Sequence, residues 1–142
     1  MSLLTEYWNT LQNALLNFQF MEESIRMYLA YAYWIVSKKL DKQIPFRFTY
    51  IDVKNDSLGK LLKKFEKFNS NKQLIDKVKQ SIKERNYLAH RAYLMTSEEQ
   101  KDDEYLSKQI EKMKKIVVSS RECLDELTQE SRKLEKIKKS IK

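Results

Sequence analysis

Apolar side chains recur in steps of three and four along the first forty residues of the chain. Because an α-helix turns once in 3.6 residues, this spacing keeps one side of a helix facing inward over many turns. The pattern predicts one unbroken helix from Leu3 to about Leu40, which is roughly 57 Å long at a rise of 1.5 Å per residue. The apolar positions are Leu4, Trp8, Leu11, Leu15, Phe18, Ile25, Leu29, Ala32 and Val36.

A single carboxylate, Glu22, interrupts this apolar stripe. A charged group that faces a core needs water or a partner of opposite charge, because burying it alone is costly. Two interpretations are open. Glu22 either lies at the edge of the stripe and reaches solvent, or it meets an arginine in a cleft as an orienting carboxylate. Arg85 is the candidate for that arginine.

The segment from Asp41 to Asp56 contains the only proline and is predicted to be a connector. Aromatic residues alternate with non-aromatic ones within it, and a period of two indicates a short extended segment. Aromatic side chains that alternate with basic ones can stack nucleic-acid bases. We favour the commoner role, in which the rings pin the connector onto a helix bundle. The alternating residues are Phe46, Arg47, Phe48, Thr49, Tyr50 and Ile51.

Three more helices are predicted after the connector. A short one from Leu58 to Phe68 is capped by Asp56 or Ser57, and a second runs from about Lys72 to Tyr93. A cap at residues 96–99 then begins a last helix that runs to the end of the chain.

The last helix keeps its apolar spacing as far as Thr128, after which Lys and Glu dominate. We therefore divide the chain into a helical bundle over residues 1–127 and a charged helical extension over residues 128–142, which frays or serves a partner. The predicted fold is all-α: an elongated antiparallel four-helix bundle with two long helices and two shorter ones. A helix from Lys72 to Tyr93 is only roughly 33 Å long, much shorter than the first. A homodimer is the simplest way to cover the apolar surface that remains.

Composition excludes several classes of function. The 142 residues include one glycine and one proline, whereas average usage gives about 10 and 7 in a chain of this length. Gly-rich phosphate loops need several glycines within a few residues, so Rossmann dinucleotide binding and P-loop NTPase chemistry are excluded. A single cysteine, Cys123, cannot form an internal disulfide, and a single histidine, His90, cannot build a His-rich metal site.

Targeting signals are not evident in the sequence. Glu6 stands where a signal peptide is apolar, and the longest apolar run, from Met27 to Val36, is too short to span a bilayer. We therefore expect a cytoplasmic protein with no membrane partner.

The net charge of +8 is concentrated in one part of the chain. From Lys60 to Tyr93 there are ten Lys or Arg and three acidic residues, a net charge of +7. Residues 1–59 hold six charges of each sign, and residues 94–142 hold twelve basic against eleven acidic residues. A basic surface around the single histidine favours anionic partners, and a phosphate backbone such as that of RNA suits it.

One strip of a helix in this basic segment combines a histidine, a carboxamide and a phenol. Asn86 and His90 lie one above the other at 100° per residue, and Tyr93 continues the strip. Arg85 flanks the strip, about 140° round the helix from His90.

An arginine and a histidine together can cleave RNA without a metal ion. The histidine assists attack by a ribose 2′-hydroxyl or protonates the leaving oxygen, because imidazole exchanges protons near neutral pH. The arginine stabilises the extra charge on phosphorus through its planar fork of donors. Two copies across a dimer would supply both the acid and the base. Neighbouring side chains are candidate RNA or phosphate contacts, namely Lys79, Lys83, Arg91 and Tyr93.

The motif Arg85-Asn86-(Tyr-Leu-Ala)-His90 resembles the signature of the HEPN superfamily, an arginine and a histidine separated by four to six residues. The preceding helix from Ser57 to Phe65 also looks like the one before the motif in several such bacterial proteins. The resemblance implies a helical, metal-independent endoribonuclease without a cofactor, whose two copies form one composite cleft. It also implies a toxin–antitoxin, phage-defence or mobile-element setting, and hence a cognate antitoxin or other protein partner. In it His90 is the catalytic histidine, Arg85 stabilises the phosphate and Asn86 orients them.

Two observations keep an alternative open. Some members of the superfamily keep the fold and bind ligands or scaffold partners without cleaving RNA. In the toxin branch that pairs with a nucleotidyltransferase antitoxin, a tyrosine stands two residues after the histidine. That position is Ala92 here, and Tyr93 follows one residue later, which weakens the case for that branch. The alternative is a non-catalytic module that binds RNA, a nucleotide or a protein.

Overall fold

The computed structural model describes residues 2–141, and every regular element within that range is helical. The predicted all-α class is therefore confirmed, as are two long and two shorter helices. The four helices are α1 (Leu3–Leu40), α2 (Leu58–Phe65), α3 (Lys72–Tyr87) and α4 (Asp103–Ser140). Single turns of other helical types occur at Tyr50–Asp52, Leu88–Ala92 and Glu99–Lys101.

Each helix begins at a polar side chain that accepts a hydrogen bond from a free backbone N–H group. Of the two predicted caps of α2, Ser57 is the one used, and its hydroxyl accepts from the N–H of Lys60 at 3.5 Å. The cap predicted at residues 96–99 does not begin the last helix. Thr96 and Glu99 instead cap one short turn reciprocally, at 3.0 and 3.2 Å, and α4 begins after Asp102.

The two long helices, each of 38 residues, run parallel to one another. Their contacting side chains advance together along both helices, at a nearly constant offset in the sequence. The pairs that show this are Glu6 with Lys114, Asn17 with Ser120, Ser24 with Ser131 and Tyr31 with Lys138.

The predicted antiparallel arrangement is thus wrong for α1 and α4. Residues 41–102 lead the chain back from the end of α1 to the start of α4, and within them α3 runs antiparallel to α1. Asn69 just before α3 donates to the Tyr28 hydroxyl, whereas Ala92 just after it accepts from Tyr7, near the start of α1. The chain therefore enters α4 at the same end at which it entered α1.

The core lies where α2 and α3 cover one side of the α1–α4 pair. Burying these apolar side chains is the main stabilising contribution to the fold. The largest fully buried side chains are Tyr7, Leu11, Phe18, Met21, Ile25, Leu29, Leu58, Leu61, Phe65, Leu74, Leu88 and Leu106. None of the helices within residues 2–141 combines the length and the apolar character needed to cross a bilayer.

The aromatic residues of the connector pack on a helix, which is the role favoured from the sequence. Its backbone has no helical turn until Tyr50, and the Phe46 ring is half-buried at 6.0 Å from Tyr33 on α1. Phe48 lies 5.7 Å from the same tyrosine and stays 55 % exposed. The rings therefore pin the connector onto α1.

The segment after Thr128 is helical as predicted, and α4 passes through that point without a break. It packs on α1 rather than separating from it. Ser131 donates to the carbonyl of Ser24 at 3.3 Å, and the ammonium of Lys138 lies 5.1 Å from the Trp34 ring centre. These contacts hold the charged segment along the second half of α1.

Candidate functional site

His90 lies on a π-helical turn. The prediction of one continuous α-helix to Tyr93 is wrong, because α3 ends at Tyr87 and residues 88–92 form a wider turn. The N–H of Tyr93 closes this turn on the carbonyl of Leu88 at 3.0 Å. Leu88 and Ala92 both remain in the core, so the wider turn keeps its apolar side inward and His90 outward. Such turns are frequent at functional sites.

Tyr7 of α1 anchors this turn from inside the protein. Its hydroxyl donates a hydrogen bond of 2.5 Å to the carbonyl oxygen of Ala92, and its ring is fully buried. Burial raises the pKa of Tyr7 well above its usual range, so the hydroxyl keeps its proton at neutral pH. The first turns of α1 therefore hold the segment that carries His90.

Glu22 lies between two arginines. This agrees with the second interpretation given above, in which Glu22 meets an arginine rather than solvent. One carboxylate oxygen is 3.8 Å from Nε of Arg85, and the other is 3.2 Å from a guanidinium nitrogen of Arg26. Arg26 also donates to the carbonyls of Val53 and Asp56, at 3.2 and 2.9 Å. Glu22 is thus fixed from one side and faces Arg85 from the other, while the Arg85 side chain keeps 38 % of its surface exposed.

Asn86 and His90 are both exposed to solvent. Within residues 2–141, no other side chain makes a hydrogen bond or ion pair with either of them. Arg85 faces α1, whereas His90 lines a pocket on the side of α4. One chain alone therefore brings Arg85 and His90 close along the sequence but onto different surfaces.

The other candidate contacts are divided in the same way. Lys83 and Arg91 line pockets between α3 and α4. Lys79 points away and pairs with Glu66 at 3.1 Å. Tyr93 packs edge-on against Trp8 of α1, with 6.2 Å between the ring centres, and is 61 % exposed.

Two adjoining pockets form a groove along α3 and α4, which we call the α3/α4 groove. Tyr87 and Lys112 line both pockets and stand between them, with the ammonium 3.6 Å from the ring centre. The first pocket, of about 300 Å³, is lined by Gln80, Lys83, Glu84, Tyr87, Lys112, Lys115 and Ile116. The second, of about 440 Å³, is lined by Tyr87, His90, Arg91, Leu94, Thr96, Glu99, Tyr105, Gln109 and Lys112.

The residues of α4 in this groove were not predicted from the sequence. Charge counted over residues 94–142 nearly cancels, and this average hides the lysines at 112, 114 and 115. A shorter counting window shows that local cluster. Nothing in the apolar spacing indicates that Tyr105 and Gln109 face His90, because this depends on how α3 packs against α4.

Cations outnumber carboxylates in the α3/α4 groove. Lys83, Arg91, Lys112 and Lys115 line it together with two acids, Glu84 and Glu99. Burial raises the pKa of Glu84, against an opposing hydrogen bond from Ser119. The groove therefore offers a net positive surface to an anion.

Glu99 and Tyr105 both line the second pocket of the groove. The backbone N–H of Thr96 and the Tyr105 hydroxyl lower the pKa of Glu99, so this carboxylate stays charged at neutral pH. Burial and the neighbouring Glu99 carboxylate raise the pKa of Tyr105 to about 12. The pocket thus holds a charged acceptor beside a protonated phenol.

Among residues 2–141, no group of three or more His, Cys, Asp or Glu side chains lies close enough to hold a metal ion. The groups at hand are therefore the His90 imidazole, the arginines and lysines, and a small number of polar side chains.

Comparison with protein-family models, with curated proteins and with solved structures finds no match to this chain.

Proposed function

We propose that the protein is a metal-independent endoribonuclease of the HEPN type that acts as a homodimer in a toxin, phage-defence or mobile-element system. One observation carries this proposal. Glu22 holds Arg85 at 3.8 Å, five residues before a solvent-exposed His90 on a π-helical turn. RNA is the substrate, no cofactor takes part, and a cognate antitoxin or other protein is a further partner.

The reaction is a transfer of phosphorus from one ribose oxygen to another. The neutral imidazole of His90 takes the proton of the 2′-hydroxyl, and the 2′-oxygen bonds to phosphorus. The bond from phosphorus to the leaving 5′-oxygen breaks, and a second histidine in its protonated form gives that oxygen a proton. The products are a 2′,3′-cyclic phosphate and a free 5′-hydroxyl. Arg85 stabilises the charge on the non-bridging oxygens, and Asn86 orients the phosphate with its amide.

A second copy of the chain supplies the second histidine. Two apolar side chains close to His90 in the sequence are exposed, Tyr93 at 61 % and Leu94 at 69 %, and Leu16 beside Tyr93 is 45 % exposed. Trp8 and Leu15 lie beside Leu16 and Tyr93 in a shallow pocket of α1. We call this area the Trp8/Tyr93 surface, and its burial against a second copy brings two His90 segments together.

The test compares initial rates of RNA cleavage in a buffer with EDTA. Arg85→Ala and His90→Ala are each expected to lower the rate by about 100-fold or more, because each removes a group that acts in the transition state. Arg121→Ala is the matched control, since Arg121 is also exposed and pairs with a carboxylate, Asp125, at 3.7 Å. Cleavage that survives both substitutions overturns the assignment.

A non-catalytic module that binds RNA, a nucleotide or a protein is the second candidate. The observation that favours it is that Arg85 faces Glu22 and does not line the pocket of His90. A module of this kind leaves RNA intact and binds it with an affinity that falls steeply as salt rises. RNA that stays intact after long incubation with saturating protein supports the non-catalytic module.

A further inference from the structure

We propose that the larger pocket of the α3/α4 groove is a nucleotide subsite that prefers bases carrying a carbonyl next to a ring N–H, namely guanine and uracil. This inference deepens the proposed function, on which it rests only for RNA as the source of the nucleotide. It assigns specificity to residues of α4 that the Arg85–His90 motif does not contain.

The size and the lining of the pocket fit one nucleotide. Its volume of about 440 Å³ lies in the range of small-molecule sites. The rings of Tyr87 and Tyr105 and the side chain of Leu94 supply apolar surface for a base. Arg91 and Lys112 line the same pocket and can bind its phosphate, since neither forms an ion pair within 4.0 Å among residues 2–141.

Gln109 supplies an oriented donor. Its side-chain oxygen accepts a hydrogen bond from the Tyr87 hydroxyl, and in this orientation the NH₂ group is the free end of the amide. In the described part of the chain, nothing accepts a hydrogen bond from that NH₂ group. It can therefore donate to a carbonyl oxygen on the edge of a base.

Glu99 supplies the matching acceptor in the same pocket. The backbone N–H of Thr96 donates to this carboxylate at 3.0 Å, and the carboxylate keeps lone pairs for a further donor. Guanine and uracil both present a carbonyl beside a ring N–H, which pairs with an amide donor and a carboxylate acceptor together. Adenine and cytosine present the reverse pattern on that edge, an amino group beside an unprotonated ring nitrogen.

The first experiment measures binding of the four nucleoside monophosphates to the full chain by calorimetry at low salt. GMP and UMP are expected to bind at least about 5-fold more tightly than AMP and CMP, which is the lower end of discrimination by a paired base edge. Equal affinities for all four nucleotides overturn the proposal.

Variants then assign the preference to its residues. Gln109→Glu keeps the size of the side chain and replaces its donor by an acceptor, so we expect the preference for GMP and UMP to disappear. Glu99→Gln is expected to do the same from the other side. Lys112→Ala should weaken the binding of all four nucleotides. Lys108→Ala should weaken the binding of none, because Lys108 is an exposed lysine one turn earlier that pairs with Glu104. A preference that survives both substitutions at 99 and 109, in variants with an unchanged circular dichroism spectrum, overturns the proposal.

Oligonucleotides identify the source of the nucleotide and separate the two proposals. Tighter binding of a single guanosine within an RNA chain than of GMP supports a subsite for RNA, and the reverse supports a subsite for free nucleotide. Base preference without any RNA cleavage leaves the subsite standing and overturns the ribonuclease. Cleavage that requires His90 but shows no base preference leaves the ribonuclease standing and overturns the subsite.

Discussion

At the scale of single residues, Glu22 has the most informative environment. It is shared by Arg26, which three further interactions hold in place, and by Arg85, which nothing else among residues 2–141 holds. Such an arrangement restrains the Arg85 guanidinium group without burying it. In the proposed reaction Glu22 is a positioning residue, because it acts through Arg85 and does not touch the RNA.

The substitution Glu22→Gln therefore distinguishes two effects of Glu22, the positioning of Arg85 and the negative charge near the RNA. We expect kcat to fall by about 10-fold because Arg85 loses its anchor, while KM falls as well because one negative charge near the RNA is removed. Kinetics of RNA cleavage at several RNA concentrations measure both constants.

Glu23→Gln is the control for this substitution. Glu23 also contacts Arg26, at 3.3 Å, but it does not pair with Arg85. Its change should leave kcat nearly as it is. Equal losses of kcat in the two variants contradict a positioning role for Glu22.

At the scale of elements, the π-helical turn sets the direction of His90. In a π-helical turn the backbone hydrogen bond joins residues five apart, whereas in an α-helix it joins residues four apart. A π-helical turn therefore contains about one residue more. Leu88 and Ala92 lie four apart and face the core, and the hydrogen bond from Tyr7 holds the end of the turn. His90 is presented on the outside between them.

Deleting Ala89, which is exposed, should convert this turn into regular α-helix. The apolar side can still face inward, so we expect the fold to survive with a melting temperature lowered by only a few degrees. RNA cleavage should be lost, because the deletion rotates His90 relative to Arg85. Circular dichroism and cleavage rates measured on the same sample give both results.

Ala89→Ser is the control, since it changes the side chain and keeps the length of the turn. It should retain cleavage. A deletion variant that is folded and cleaves RNA at the original rate contradicts a role for the π-helical turn.

The elements differ in how far the sequence could predict them. The three-and-four spacing predicts α1 to the residue and the course of α4 though not its first residue, because a helix that packs along its whole length needs an apolar side along its whole length. The same spacing carries no direction, so it could not show that α1 and α4 run parallel. It also could not show the π-helical turn, because two apolar residues four apart suit both kinds of turn.

The candidate site was predictable in the same uneven way. A carboxylate that interrupts an apolar stripe needs a partner, so the sequence predicts an arginine such as Arg85 beside Glu22. The contributions of Tyr105, Gln109 and Lys112 depend on the packing of α3 against α4 and left no periodic signal. Lys79 could not be separated from Lys83 by sequence alone, since only its pairing with Glu66 removes it from the groove.

At the scale of the whole molecule, the account requires two copies of the chain. The Trp8/Tyr93 surface lies on the α1 side of the His90 segment, where a partner would complete the cleft. Leu16→Glu places a charge in that surface, so we expect the dimer to dissociate and cleavage to fall with it. Sedimentation velocity over a range of concentrations measures the association.

Val118→Glu is the control for this substitution, because Val118 is 58 % exposed on α4 and lies outside that surface. It should leave the dimer and the cleavage rate unchanged. A protein that is monomeric at every concentration and still cleaves RNA contradicts the composite cleft.

The chemical ends of the cleaved RNA test the central claim most directly. An oligoribonucleotide is incubated with the protein in EDTA, beside the same oligonucleotide with 2′-deoxyribose at every position. We predict 2′,3′-cyclic phosphate and 5′-hydroxyl ends from the RNA, none from the 2′-deoxy strand, and a yield from the RNA that is lower by about 100-fold or more with His90→Ala. Cleavage of the 2′-deoxy strand, or an unchanged yield of these ends with His90→Ala, would contradict the account.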